Sequence, residues 1–178
     1  MAEHPVEEIA AGRWLRLVHR GTWEYVERLR SSGVVAVAAV TPAGKVVLVE
    51  QFRPAVGTTV IELPAGLSGD AEAFKGEALE AAARRELEEE TGYRARDWRF
   101  CVAGFSSAGL TNERVDFFLA TGLEKVGDGG GDEHEEIAVH EVPLAEVDAW
   151  LQGRLAEGAA IDAKLYTGLY FAREWESK

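Results

Sequence analysis

The sequence predicts an α/β (α+β) fold: a mixed sheet with one central helix, helices near the C-terminus and an antiparallel arm at the N-terminus. Three observations lead there. Residues 34–40 form an unbroken apolar run, which suits a strand buried on both faces. Residues 77–91 are rich in Ala, Glu, Leu and Arg and hold neither Gly nor Pro, as a strong helix requires. Residues 14–19 and 22–29 alternate apolar with polar side chains around Gly21, the pattern of a hairpin.

The other elements follow in order. Residues 46–51 make a second strand after 34–40. Between them Thr41-Pro42-Ala43-Gly44 carries Pro second and Gly fourth, a turn signal. Residues 59–63 read as a short strand. The helix over 77–91 stops at Gly92, which can take the left-handed conformation that closes a helix. Strands are expected at 98–104 and 115–120, and a flexible Gly-rich loop at 126–133. A last strand lies at 137–142, and helices at 147–151 and 162–174 close the chain. No repeat or Pro/Ser-rich linker interrupts this order. The expected organisation is an arm over residues 1–32 and one compact domain over 33–178.

Composition narrows the function. The 178 residues include 19 Lys and Arg against 31 Asp and Glu, a net charge of −12. Such acidity argues against nucleic-acid binding, which needs a basic surface. It leaves phosphate substrates open, because a divalent cation can shield the charge. No apolar run approaches the roughly 20 residues of a membrane span, so no membrane partner is expected. The acidic N-terminus lacks the basic and apolar regions of a signal peptide. The single cysteine, Cys101, excludes an intrachain disulfide and suits a reducing compartment, so a cytoplasmic location is expected. Ala43-Gly44-Lys45 lacks P-loop spacing, no dinucleotide-binding glycine pattern follows a strand, and the four histidines show no zinc spacing.

The helix carries the chemistry. At about 100° per residue, Glu86, Glu89 and Glu90 share one face, while Glu88 points elsewhere. Leu79, Ala83 and Leu87 form an apolar stripe that can face the sheet. Like charges on one face repel, and they lie toward the C-terminal end, where the helix dipole disfavours anions. A sequence that places acids there either offsets them with Arg84 and Arg85 or binds a cation. Hard divalent cations take oxygen ligands. A solvated acidic face is the alternative on the helix alone.

The flanking residues decide between these. Gly66 is followed by ten residues, Glu77, seven residues, then Arg85-Glu86-Leu87-x-Glu89-Glu90-x-Gly92-Tyr93. This resembles the Nudix box, Gly-x5-Glu-x7-Arg-Glu-U-x-Glu-Glu-x-Gly-U, with U apolar or aromatic. The match is complete from Glu77 to Tyr93, and the first spacer is lengthened within residues 67–76. The resemblance implies a Nudix α/β/α sandwich that binds Mg²⁺ or Mn²⁺ and cleaves a nucleoside diphosphate linked to another group. Carried over by position, Glu86, Glu89 and Glu90 are metal ligands, and the Ala65 carbonyl is a further one. Glu89 is also carried as a catalytic residue. Arg85 is expected to orient the glutamates, and Glu77 to be a helix-start residue.

Further motifs look like the ADP-ribose pyrophosphatase branch: Gln51-Phe-Arg-Pro54, Glu62-Leu-Pro-Ala-Gly66, Asp162-Ala-Lys-Leu-Tyr166, and the arm with Gly12-Arg-Trp-Leu15 and Thr22-Trp-Glu24. In that branch the arm swaps across a homodimer and two aromatic residues sandwich adenine. Trp14 and Trp23 match those positions, with Glu24 accepting from the base, and Arg28 and Arg53 are candidates to pair with the diphosphate. Two Trp packing on the domain, and Arg53 in a structural ion pair, are the competing readings. Glu113, in Ser107-x-Gly109-x-Thr111-x-Glu113, matches the proposed base of bacterial ADP-ribose enzymes. Glu135 matches a base or extra metal ligand of relatives. Those enzymes carry a Pro 16 residues past the box glycine, where this chain has Ala108. The implied function is hydrolysis of ADP-ribose or a related nucleoside diphosphate sugar to a nucleoside monophosphate and a sugar phosphate. A broader GDP- or UDP-sugar or dinucleotide diphosphatase is the alternative. A non-catalytic nucleotide sensor ranks below both, because every acid of the box is present.

Overall fold

The apolar run near residue 34 becomes the middle of an eight-stranded sheet. A computed structural model describes residues 4–69, 74–131 and 136–176. In chain order it contains β1 (Val6–Ala11), β2 (Leu15–Arg20), β3 (Trp23–Arg28), β4 (Gly33–Val40), β5 (Lys45–Arg53), β6 (Thr58–Glu62), β7 (Ala65–Ser68), α1 (Leu79–Thr91), β8 (Tyr93–Phe105), β9 (Arg114–Lys125), β10 (Ala138–Pro143), α2 (Val147–Ala156), β11 (Ala160–Ile161) and α3 (Lys164–Glu176). Strands β1–β3 form a separate antiparallel sheet. The large sheet runs β11-β6-β5-β4-β9-β8, with β10 on β5 and β7 on β4. Its β4–β9 and β6–β11 pairs are parallel and the rest antiparallel, so it is mixed.

Alternation along β4 builds two cores. Val35, Val37 and Ala39 face α1, where Ala82, Ala83 and Leu87 meet them together with Phe118 and Ala120 of β9. Ala36, Ala38 and Val40 face the other way, toward Leu151 of α2 and Leu165 and Leu169 of α3. A strand covered on both faces has no polar side to show, which is why its sequence is unbroken and apolar. The result is the expected α/β/α sandwich, with the Leu79–Ala83–Leu87 stripe turned to the sheet.

Several boundaries differ from the sequence reading. The helix begins at Leu79, so Glu77 stands two residues before it rather than in its first turn. The strand expected from 98 begins at Tyr93, directly after Gly92, because Tyr93 and Ala95 pack under α1. The arm has a third strand, β1, whose six residues are all exposed and show no clean alternation. The four-residue β7 carries Gly66 and is too short to show a strand period in the sequence. The loop expected to be flexible is hydrogen-bonded over its described part: Val126 N–H donates to Gly92 O at 2.8 Å and Gly130 N–H to Glu90 O at 2.8 Å. Its residues 132 and 133 lie outside the described residues.

The arm leans on the main domain through β3. Val26 N–H donates to Leu110 O at 2.8 Å, and Asn112 Nδ2 donates to Glu27 Oε1 at 2.8 Å. Val6, Ile9, Trp14, Leu15 and Trp23 remain exposed on it. Among the described residues no helix is long and apolar enough to cross a membrane. Leu87 is fully buried between α1 and the sheet. Leu87→Ala should therefore lower unfolding free energy by about 2–5 kcal/mol, measured by urea denaturation.

Candidate active site

The site is built where α1 crosses β7. Strand β7 pairs with the first half of β4, Val35 opposite Gly66 and Ala36 opposite Ala65. This holds Ala65 and Gly66 beneath the helix face that carries Glu86 and Glu90. The Glu90 carboxylate is buried and accepts from the Ala65 N–H at 3.0 Å. The Glu86 carboxyl lies directly over Gly66. A Cβ at Gly66 would stand 2.0 Å from Glu86 Cδ and 2.1 Å from its Oε1. Glycine is required here by close approach, since any side chain would displace Glu86. Glu88 points away and pairs with Arg94, as the helical period predicts.

Arg85 ties the acids together. Its Nη1 donates to Glu86 Oε1 and to Glu89 Oε2, each at 2.9 Å. Its Nη2 donates to Leu67 O at 3.0 Å and to Glu77 Oε2 at 3.3 Å. The guanidinium also lies 4.2 Å from the centroid of the Phe74 ring. Burial opposes its charge, but the bonds to Glu77 and Glu89 and the fields of Glu86 and Glu89 outweigh burial and raise its pKa above the ordinary value. Arg85 therefore orients the glutamates, as expected. Glu77 is not a helix-start residue. Its carboxylate is a partner of Arg85, eight residues on.

The donor chemistry suits a divalent cation. Glu86, Glu89 and Glu90 offer only carboxylate oxygens, and Ala65 beside them offers a backbone carbonyl, which is the set a hard cation takes. Among the described residues no three acidic, His or Cys side chains stand close enough together to hold an ion as arranged. Arg85 occupies the space between Glu86 and Glu89 and supplies the positive charge there. Glu89 is half exposed, so it can reach its neighbours by rotating its own side chain.

A cleft of about 840 Å³ opens beside these residues. Ala65, Gly66, Arg85, Glu86 and Glu89 form part of its wall, and Arg28, Arg53, Glu62, Glu113, Asp162 and Lys164 complete its polar lining. Glu113 is thus brought into the same cleft as the helix acids from 23 residues beyond Glu90. Arg28 holds it, with Nε and Nη2 donating to Glu113 Oε1 at 3.0 and 2.7 Å. Arg53 grips the buried Glu62 through Nε and Nη2 at 2.6 and 2.7 Å. Both guanidinium forks are therefore engaged with carboxylates. Glu62, Asp162 and Lys164 lie within the sequence motifs without being marked there as site residues, and the fold brings them to the cleft. The signal for Glu62 was a charge closing an apolar strand, which demands a partner once buried.

The aromatic pair is not assembled within one chain. Trp23 pairs with Arg20 at the tip of the arm, whereas the Trp14 carbonyl accepts from Leu29 N–H at its base. At about 3.3 Å per residue the backbone positions of the two residues stand roughly 20 Å apart along the arm. Arg13 and Arg30 approach the half-exposed Trp14 ring, their guanidinium carbons 4.6 and 5.4 Å from its centroid. Trp23 lines a separate hollow of about 390 Å³ with Tyr25, Phe105, Ala108 and Asn112. Glu24 follows Trp23 in the strand and so faces the opposite side of the arm. A base stacked on Trp23 is out of its reach within the same chain. Glu135 lies outside the described residues.

The fold and the carboxylate helix together point to a hydrolase of an α/β/α class. Residues 30–167 match the family model of the NUDIX domain, and the chain belongs to that family. Nudix hydrolases use divalent metal ions. The chain is 32% identical over 171 residues to the methanol dehydrogenase activator of Bacillus methanolicus, covering 92% of this chain and 90% of that protein. It is 40% identical over 129 residues to the ADP-ribose pyrophosphatase of Bacillus subtilis (strain 168), covering 72% of this chain and 67% of that protein. Among solved structures, the crystal structure of an ADP compounds hydrolase superposes with a TM-score of 0.70 at 22% identity, over 98% of this chain and 92% of that one. This last likeness concerns the fold.

Gly66→Ala should push the Glu86 carboxyl off β7. Since misplacement by about 1 Å can cost roughly 100-fold, hydrolytic turnover should fall on that scale while the circular dichroism spectrum stays unchanged.

Proposed function

We propose that this chain hydrolyses the diphosphate linkage of a nucleoside diphosphate sugar, with ADP-ribose as the leading substrate, giving a nucleoside monophosphate and a sugar phosphate. The observation that carries the reading is the shared cleft: Glu86, Glu89 and Ala65 line one part of it and Glu113 another. Mg²⁺, with Mn²⁺ as a substitute, is the proposed cofactor, and Glu86, Glu89, Glu90 and the Ala65 carbonyl are its proposed ligands. When bound there, such a cation would neutralise the diphosphate and acidify a water.

The chain's own residues do the rest. Arg85 holds Glu86 and Glu89 in orientation by charge-assisted bonds. Glu113 is the proposed general base, taking the proton of the attacking water, and Arg28 fixes its carboxylate. Arg53 and Lys164 give the cleft positive groups toward the phosphates, although Arg53 also anchors Glu62. Glu135 is kept as a second candidate base. A broader reading, covering GDP- or UDP-sugars and dinucleotides, is favoured by one observation: Trp14 and Trp23 of a single chain cannot clamp one base. An adenine sandwich needs Trp14 of one protomer and Trp23 of another. We therefore propose a homodimer in which residues 1–32 act as a swapped arm. The exposed Val6, Ile9, Trp14 and Leu15 support this, because a small sheet is not stable with its apolar side chains in water.

Three outcomes follow. Glu89→Gln and Glu90→Gln should each lower turnover by about 100-fold or more, as loss of electrostatic stabilisation does, with the fold retained. Near-normal turnover of both at saturating Mg²⁺ refutes the metal-helix reading. In a panel of ADP-ribose, GDP- and UDP-sugars and dinucleotides, Trp23→Ala should raise KM for ADP-ribose about 5- to 150-fold, the equivalent of about 1–3 kcal/mol of stacking, with little change in kcat. An unchanged KM with equal cleavage of GDP- or UDP-sugars selects the broader reading. Light scattering at micromolar concentration should give a dimer, and deletion of residues 1–30 a monomer or an insoluble chain. A full-length monomer rejects the swapped arm.

A further inference from the structure

The glycine-rich loop after β9 is folded against the last turn of α1. A helix leaves its last four carbonyls without partners in the helix, and here each is taken. Gly92 N–H donates to Glu88 O at 2.8 Å, Gly131 N–H to Glu89 O at 3.1 Å, and Gly130 N–H to Glu90 O at 2.8 Å. The Lys125 ammonium donates to Thr91 O at 2.7 Å. The contact is backbone on backbone. A Cβ at Gly129 would stand 2.4 Å from the Thr91 carbonyl carbon and 2.7 Å from Glu90 O, and one at Gly92 would stand 2.2 Å from Gly127 O. Gly129 has a φ of +73° and Gly92 of +67°, so both positions exclude a side chain by conformation as well as by space.

We propose that Lys125 and the loop over residues 126–131 are a positioning clamp for the carboxylate turn of α1, and that this clamp sets the cation affinity of the site. The proposal rests on the reading of Glu86, Glu89 and Glu90 as cation ligands. Two of the carbonyls held from outside belong to Glu89 and Glu90 themselves. The C-terminal end of a helix carries partial negative charge, which disfavours carboxylates, and the neighbouring acids add their own repulsion. Two loop N–H groups and one ammonium place positive charge against those carbonyls. They lower the electrostatic cost of gathering the acids there and stop the turn from fraying. Lys125 and Gly129 act through the backbone, so they are positioning residues.

The test is Mn²⁺ binding to the full-length protein, followed by electron paramagnetic resonance, for the natural sequence, Glu89→Gln, Gly129→Ala, Lys125→Met and Lys125→Arg. Groups that orient metal ligands typically contribute 10- to 100-fold to affinity, so Gly129→Ala and Lys125→Met should each weaken Mn²⁺ binding by about that factor. Lys125→Arg, which keeps the charged donor, should bind nearly as the natural sequence does. Lys125→Met should keep its circular dichroism spectrum and recover kcat at saturating Mn²⁺, a split that loss of the fold does not produce. If Gly129→Ala fails to fold, Lys125→Met and Lys125→Arg decide alone. Unchanged affinity in Lys125→Met beside weakened affinity in Glu89→Gln overturns the clamp and leaves the metal site standing. Equal affinity of Glu89→Gln and the natural sequence overturns the metal-helix reading, and the clamp's role with it.

Discussion

Arg85 sits among three carboxylates on α1 and on the segment before it. Glu77, Glu86 and Glu89 would repel one another if left alone, and the helix dipole would add to the penalty at the later two. One planar guanidinium donates to all three and also to the Leu67 carbonyl of β7. A lysine could not do this, because a single ammonium lacks the fork. The network fixes the helix in rotation and in height over β7. That placement in turn sets Glu86 against Gly66 and Glu90 against the Ala65 N–H.

The packing below makes such placement possible. Strand β4 is buried on both faces, so α1 and the pair α2 and α3 are each pressed onto a rigid apolar surface. The same strand receives β7 on one edge and β9 on the other. The helix acids, the close glycine and the base candidate Glu113, which immediately precedes β9, are therefore all referred to one central strand. Close packing transmits small displacements, so the geometry of the cleft depends on core residues that never touch it.

The arm presents a different balance. Its sheet is mostly exposed, yet Arg28 reaches from it to Glu113 and Glu27 accepts from Asn112. One lining residue of the cleft, Arg28, is thus carried by a mostly exposed sheet. A cleft that takes a lining residue from such an arm is sensitive to whatever covers that arm, and a second copy of the chain is the proposed covering.

The sandwich, the carboxylate helix and the acids that share one face of it were legible in the sequence. These follow from local periodicity, from helix propensity and from a motif whose spacing survives a lengthened loop. The sequence also paired Glu113 with the site, by motif alone. The tertiary structure decided the rest. Glu77 proved to be a partner of Arg85 because the chain before the helix folds back along it, and no local pattern encodes that return. Arg28 and Arg53 proved to hold Glu113 and Glu62, since which carboxylate a guanidinium meets depends on strand register. Trp14 and Trp23 fell at opposite ends of the arm because Gly21 sets the hairpin turn between Arg20 and Trp23. The glycines after β9 closed on the end of α1 instead of remaining loose, because their missing side chains let two backbones touch. In each case the deciding quantity is the distance between residues far apart in the chain, which only the packing of the sheet supplies.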